Sequence, residues 1–276
     1  MTDRYAVIGN PIGHSKSPLI HAEFARQTGQ DLSYEALLAP LDGFAATVEH
    51  FFAEGGKGLN VTVPFKHEAW NLATKRTPRA IDAEAVNTLM VLPEGGILGD
   101  NTDGAGLVRD LQYNLRFPLK GRRVLLMGAG GAAWGVSGPL LHEEPGTLFV
   151  ANRTVDKAQL LVRHFTRFEK FSMQTTTAVS YQELENQQFD LIINATSASL
   201  SDALPPLPKG VFAPGSLAYD MMYGKGLTPF LKFAQQQGAA HLADGLGMLV
   251  EQAAESFFLW RGVRPDTAPV IALLKP

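Results

Sequence analysis

The sequence predicts an α/β protein of two domains, each built on a mostly parallel sheet. Two observations carry that expectation. Short β-rich apolar runs alternate with helix-like stretches along the chain, at residues 5–8, 32–38, 58–63, 124–127, 148–151, 191–194 and 217–220; this is how parallel strands joined by crossover helices read. The run 124–127 leads directly into a glycine turn and a second helix-like stretch, a strand-turn-helix pattern. Composition permits it: 276 residues, 45% hydrophobic and 18% charged, suit one large or two medium globular domains.

Other classes are disfavoured. A net charge of −3 gives no basic footprint for nucleic acid. With no cysteine, disulfides, thiolate metal sites and a cysteine nucleophile are excluded, and a reducing cytoplasm is compatible. Met1-Thr2-Asp3-Arg4-Tyr5 lacks the basic-then-apolar pattern of a signal peptide. Residues 124–141 carry no charge, yet Gly128, Gly130, Gly131, Gly135, Gly138 and Pro139 suit a strand, turn and buried helix better than a membrane span. The expectation is a soluble, cytoplasmic protein. Its seven histidines show no paired metal-ligand spacing, so no metal is expected.

Along the chain, Ser17 is the expected cap of the first helix, Pro18 its first residue and Gly29 its stop. In the run 58–63, period-2 alternation puts Leu59, Val61 and Val63 on one face and Asn60 and Thr62 on the other. That polar pair, followed by Pro64-Phe65-Lys66, suits the wall of a polar cleft or a solvated sheet face equally well. A domain break is expected near Asp103-Gly104. Residues 1–103 would form the first domain and 104–244 the second, with 245–276 returning to complete the first. The last helix, near 247–261, has no strand after it.

Gly128-Ala129-Gly130-Gly131-Ala132-Ala133 matches the dinucleotide pattern G-x-G-x-x-G/A, with Gly128, Gly130 and Ala133 in its three places. Small residues there permit the tight turn, the approach of backbone to a pyrophosphate, and close helix–strand packing, while helix amides meet the phosphate charge. The strand before it and the second strand at 148–151 make this a Rossmann-type domain. Where an NAD enzyme places an acid to hold the ribose hydroxyl, this chain has Asn152-Arg153-Thr154 and then Lys157. An acid would repel a 2′-phosphate, and Arg153 would bind it with Lys157 adding charge, so NADP is the expected cofactor.

Several further motifs occur in order: Gly9-Asn10-Pro11-Ile12-Gly13-His14-Ser15-Lys16-Ser17-Pro18, Asn60-Val61-Thr62-Val63-Pro64-Phe65-Lys66, Ala85-Val86-Asn87-Thr88, Gly99-Asp100-Asn101-Thr102-Asp103-Gly104, Asn194-Ala195-Thr196-Ser197, Tyr219-Asp220-Met221-Met222-Tyr223 and Asp244-Gly245-Leu246-Gly247-Met248-Leu249 with Gln252. Together they resemble the shikimate dehydrogenase family almost end to end. The resemblance implies two domains facing each other across a cleft, one holding NADP and the other the substrate, and reversible reduction of 3-dehydroshikimate to shikimate. It implies that Ser15 and Ser17 hold the substrate carboxylate with Tyr223 nearby. Asn60, Thr62, Asn87, Asp103 and Gln252 would bind ring hydroxyls, and Lys66 would be the acid/base in one network with Asp103. For the cofactor it implies Gly128, Ala129, Gly130, Gly131 and Ala132, then Asn152, Arg153, Thr154 and Lys157, with Met221 and Gly245. Two residues depart from the family's usual pattern, Trp134 for an arginine and Ser199 for a glycine, both on the cofactor side.

A quinate/shikimate dehydrogenase using NAD is the nearest alternative, and a non-catalytic ligand sensor is the alternative of another class. The expected partner is a small molecule, with no nucleic acid or membrane, and the expected state is a monomer or homodimer.

Overall fold

A computed structural model describes residues 2–171, 175–196 and 206–275. The chain divides into two compact units, Met1–Gly106 with Leu249–Lys275, and Leu107–Met248. The first unit runs β1 (Asp3–Gly9), α1 (Ser17–Thr28), β2 (Leu32–Leu38), α2 (Phe44–Ala53), β3 (Gly56–Val61), α3 (Lys66–Leu72), β4 (Lys75–Arg76), α4 (Pro78–Ala83), β5 (Thr88–Val91), β6 (Ile97–Asp100) and the start of α5 (Asp103–Arg109). Its sheet has the order β2-β1-β3-β5-β6-β4. Strand β1 pairs in parallel with β2 and β3, whereas β5 is antiparallel to both β3 and β6. One face of this sheet buries Ala6, Ile8, Leu59 and Val61 against Phe44, Val48 and Phe51 of α2 and against Phe65 and Ala69.

The second unit continues with β7 (Arg123–Met127), α6 (Gly131–His142), β8 (Thr147–Ala151), α7 (Val155–Thr166), β9 (Thr176–Val179), β10 (Phe189–Asn194), β11 (Phe212–Asp220), α8 (Pro229–Gln236) and β12 (His241–Asp244). The helix α9 (Leu246–Arg261) carries the chain back into the first unit, which ends with α10 (Ala268–Leu274). The second sheet has the order β12-β11-β10-β7-β8-β9, and all five pairings are parallel. Numbered from its own first strand this is the doubly wound nucleotide-binding order, with its switch point between β7 and β10. Both faces are covered, which explains the unbroken apolar runs. Val124 and Leu126 pack into one core while Leu125 and Met127, alternating with them, pack into the other.

Three local expectations are corrected. Ser17 does not cap α1; it is the helix's first residue, the cap position is Lys16, and no side chain caps it. Gly29, with φ 64°, does end the helix. Strand β3 starts two residues early and stops at Val61, so Thr62 lies beyond it and Val63 is 63% exposed rather than sharing the face of Leu59 and Val61. Finally, β4, β5, β6, β9 and β12 were not anticipated; they are two to four residues long, too short to display a period. Among the described residues no helix is long and apolar enough to cross a membrane.

Candidate active site

In the first unit the polar residues of four separate motifs converge. Lys66 opens α3 and Asp103 opens α5, and their side chains meet, Nζ to Oδ2, at 2.5 Å. Neither is sealed off: the side chains are 32% and 14% exposed. Asn87, just before β5, holds the other carboxylate oxygen by donating from Nδ2 to Asp103 Oδ1 at 2.9 Å. The same nitrogen lies 2.9 Å from Thr102 Oγ1 and 3.4 Å from Gln252 Oε1. On its other side, Asn87 Oδ1 accepts from the Thr102 amide and from Thr88 Oγ1, both at 2.9 Å. Every polar atom of Asn87 is therefore engaged within the protein, and the residue is 3% exposed.

Gln252 reaches this group from α9, whose close approach depends on a glycine. A Cβ at Gly106 would lie 2.6 Å from the backbone nitrogen of Gln252. The Gln252 oxygen also lies 3.4 Å from Thr102 Oγ1, while its Nε2 donates to Leu249 O at 2.8 Å and keeps one hydrogen spare. Asn60, on β3, is buried at 6% exposure beside this group, donating to Ser256 Oγ at 2.9 Å and Thr88 Oγ1 at 3.1 Å. Ser15 lies just before α1 and Ser17 opens it, with the Ser17 amide donating to Ser15 Oγ at 3.3 Å. Thr62 is half-buried just past β3, its amide bonded to Ile8 O at 3.0 Å. Tyr223 lies in the second unit beyond β11, where burial pushes its phenol pKa up.

The second unit carries the dinucleotide pattern at its switch point. Gly128 has φ 106°, and a Cβ there would lie 3.1 Å from the Ala195 carbonyl oxygen, so its place admits glycine alone. Ala129 is buried behind it and Ala133 fully so, packed into the core. Gly130 precedes α6 and Gly131 opens it; these two and Ala132 are exposed, and a Cβ on either glycine would meet nothing within 4 Å. Open space over the unpaired amides of a helix start is what a pyrophosphate requires. The residues present thus fit the cofactor. Trp134, the first of the departures, is turned into the fold, its ring 4.6 Å from His164 of α7 and packed on the core. Ser199, the other departure, and Ser197 of its motif lie outside the described residues.

After β8, Asn152 Nδ2 donates to Thr154 O at 2.8 Å and shapes the turn that leads into α7. Arg153, Thr154 and Lys157 are exposed, and among the described residues Arg153 and Lys157 enter no ion pair. Arg153 and Asn152 line a cavity of about 370 Å³ with Tyr181, Gln182, Leu207 and others. Burial lifts the Tyr181 phenol to about 12, against the opposing charge of Arg153. Across the sheet, a Cβ at Gly245 would lie 2.1 Å from Met221 O, so the turns after β11 and β12 touch backbone to backbone.

Two residues that the sequence shows only as motif members form a pair that it does not announce. Asn194 and Asp220, both fully buried at the ends of β10 and β11, are joined by a 3.1 Å hydrogen bond. Asn194 Oδ1 also accepts from Thr196, and Asp220 from the Met222 amide and Thr228 Oγ1. They brace the loops that carry Thr196 and Met221. A polar residue ending an apolar run, as both do, was the available signal.

The switch-point glycine turn, the uncommitted cations after the next strand and the separate lysine–aspartate site define the class: a two-unit α/β dinucleotide-binding dehydrogenase. The chain belongs to the shikimate dehydrogenase family. The family descriptions that match it are the shikimate dehydrogenase substrate binding domain at residues 7–89, shikimate / quinate 5-dehydrogenase at 112–201 and the shikimate 5'-dehydrogenase C-terminal domain at 245–275. A shikimate dehydrogenase (NADP(+)) of Nitrosospira multiformis is 66% identical, the match covering 100% of this chain and 98% of that one. Among solved structures, an Ael1 enzyme from Pseudomonas putida is 52% identical with TM-score 0.94, covering 100% of this chain and 99% of that one. A shikimate 5-dehydrogenase from Thermus thermophilus, in complex with NADP(H) and shikimate, is 32% identical with TM-score 0.85 over 98% of each chain.

Proposed function

We propose that this chain catalyses the reversible, NADP-dependent reduction of 3-dehydroshikimate to shikimate, a step of aromatic amino-acid biosynthesis through chorismate. The observation that carries the mechanism is the 2.5 Å Lys66–Asp103 pair, held on its far side by Asn87.

Bound NADPH supplies the hydride. As a ketone gains that hydride its oxygen becomes basic, and Lys66 Nζ donates a proton to it; in the oxidation direction a neutral Lys66 takes the proton back. Asp103 orients the ammonium and presents a carboxylate oxygen to a ring hydroxyl. Asn87 and Gln252 bind ring hydroxyls beside Asp103. Asn60 and Thr62 serve the remaining ring positions, and Ser15 and Ser17 donate to the carboxylate with Tyr223 contributing. On the cofactor side Gly128, Ala129, Gly130, Gly131 and Ala132 cradle the pyrophosphate. Asn152, Arg153, Thr154 and Lys157 take the 2′-phosphate end, and Met221 and Gly245 also contact the cofactor. The enzyme works in the cytoplasm as a monomer or homodimer, with residues 1–103 and 245–276 as its substrate domain and 104–244 as its cofactor domain.

The test is a two-by-two assay of shikimate and quinate against NADP and NAD. Fastest turnover with shikimate and NADP supports the reading. Preference for quinate or NAD makes the protein a quinate/shikimate dehydrogenase, and no turnover with any pair makes it a ligand sensor.

A further inference from the structure

The hydrogen-bond directions around Asn60 single out a residue outside the motifs. Thr88 Oγ1 donates to Asn87 Oδ1, and Ser256 Oγ to Gln252 O at 3.1 Å. The two hydroxyls also lie 2.8 Å apart and share a hydrogen bond, and whichever donates there, Asn60 Nδ2 donates to both oxygens. The amide nitrogen is thereby used up. The oxygen is different: among the described residues its hydrogen bond comes from Tyr34 OH at 2.7 Å, with the buried His21 ring as its other polar neighbour.

Tyr34 is well fixed for that task. It stands on β2, and its ring stacks on His21 with centroids 4.1 Å apart and planes 3° from parallel. His21 is fully buried between Tyr34, Phe24, Phe257 and Trp260. Burial holds the Tyr34 phenol well above its usual range, so it remains a donor.

We infer that Tyr34 is a substrate-positioning residue, which anchors the side-chain oxygen of Asn60 and so fixes how that amide meets a ring hydroxyl. This rests on the shikimate reading above. Without the phenol, the amide of Asn60 loses the only one of its side-chain anchors that lies on the oxygen and is less firmly oriented. A contact that must be ordered at binding weakens binding without altering the reacting atoms.

The experiment compares Tyr34→Phe, Asn60→Ala and the double variant by kcat, the KM values for shikimate and NADP, and thermal midpoint. Phenylalanine preserves the stack on His21, so the change is confined to one oxygen. Tyr34→Phe is expected to raise the KM for shikimate about three- to tenfold, the worth of a neutral hydrogen bond. Its kcat and its KM for NADP should move far less. In the Asn60→Ala background, Tyr34→Phe should add almost nothing. An unchanged KM in Tyr34→Phe overturns the inference, as do losses that multiply in the double variant. If Asn60→Ala leaves the KM of an active enzyme unchanged, the substrate role of Asn60 falls, and the inference with it. Asn60→Ser replaces the alanine variant if that one does not fold.

Discussion

Asp103→Asn exchanges one carboxylate oxygen for an NH2 group at a point where both oxygens are in use, one 2.5 Å from Lys66 Nζ and the other 2.9 Å from Asn87 Nδ2. An amide offers an acceptor on one side only. With its oxygen toward Lys66, its NH2 faces the NH2 of Asn87; reversed, it faces the ammonium. Asn87 cannot turn to relieve this, because its own oxygen is held by the Thr102 amide and Thr88. The variant loses one charge-assisted hydrogen bond, worth about 1.5–3 kcal/mol. The side chains are 32% and 14% exposed, so solvent screens the pair only in part. Lost from the transition state, that energy is a fall in kcat of about tenfold to a little over a hundredfold. Substrate binding should weaken too, since a ring-hydroxyl acceptor is altered. Steady-state kinetics with shikimate, together with a direct measurement of shikimate dissociation, would read both effects. Values within about twofold of the unmodified enzyme for both would refute the reasoning.

Arg153→Ala should weaken NADP by about tenfold to a hundredfold and NAD much less, since the lost bond is to the 2′-phosphate; equal losses for the two cofactors, measured by titration, would remove Arg153 from that role. Ser17→Ala should raise the KM for shikimate while leaving the thermal midpoint nearly unchanged, because Ser17 caps no helix; a falling midpoint with an unaltered KM would contradict this. His21 links stability to pH. Burial lowers its pKa from 6.5 to about 3, so between those values the unfolded chain binds a proton that the folded protein excludes. Its contribution is complete above about pH 6.5 and is lost as pH falls toward 3, amounting to roughly 5 kcal/mol at about 1.4 kcal/mol per pH unit. His21→Phe should flatten the acid limb of a melting-temperature profile, and an unchanged limb would count against the buried neutral imidazole.

How far the sequence is legible differs between the units. Strands β1, β7, β8, β10 and β11 declare themselves because each buries a continuous or alternating apolar run. The glycine turn is legible because the backbone needs it: Gly128 adopts a positive φ against a carbonyl. Lys66 and Asp103 are visible as motif members, yet their 2.5 Å meeting joins residues 37 apart and belongs to tertiary structure. The short strands β5 and β6 carry Asn87 and Asp103 at their margins, and nothing local announces them. Ser17 misleads for the opposite reason. A serine before a proline has cap chemistry, and here the helix simply starts one residue earlier. The Asn194–Asp220 brace and the part played by Tyr34 are set by partners 26 residues distant in each case.

The central claim is that Lys66 exchanges the proton while other residues hold the ligands. Lys66→Ala tests it most directly, with NADP reduction by shikimate followed in single turnover and the dissociation constants of shikimate and NADP measured separately. The account predicts shikimate-dependent NADP reduction in the unmodified enzyme, both ligands still bound by the variant, and turnover lower by about a hundredfold to ten-thousandfold. Turnover in Lys66→Ala close to that of the unmodified enzyme would contradict it.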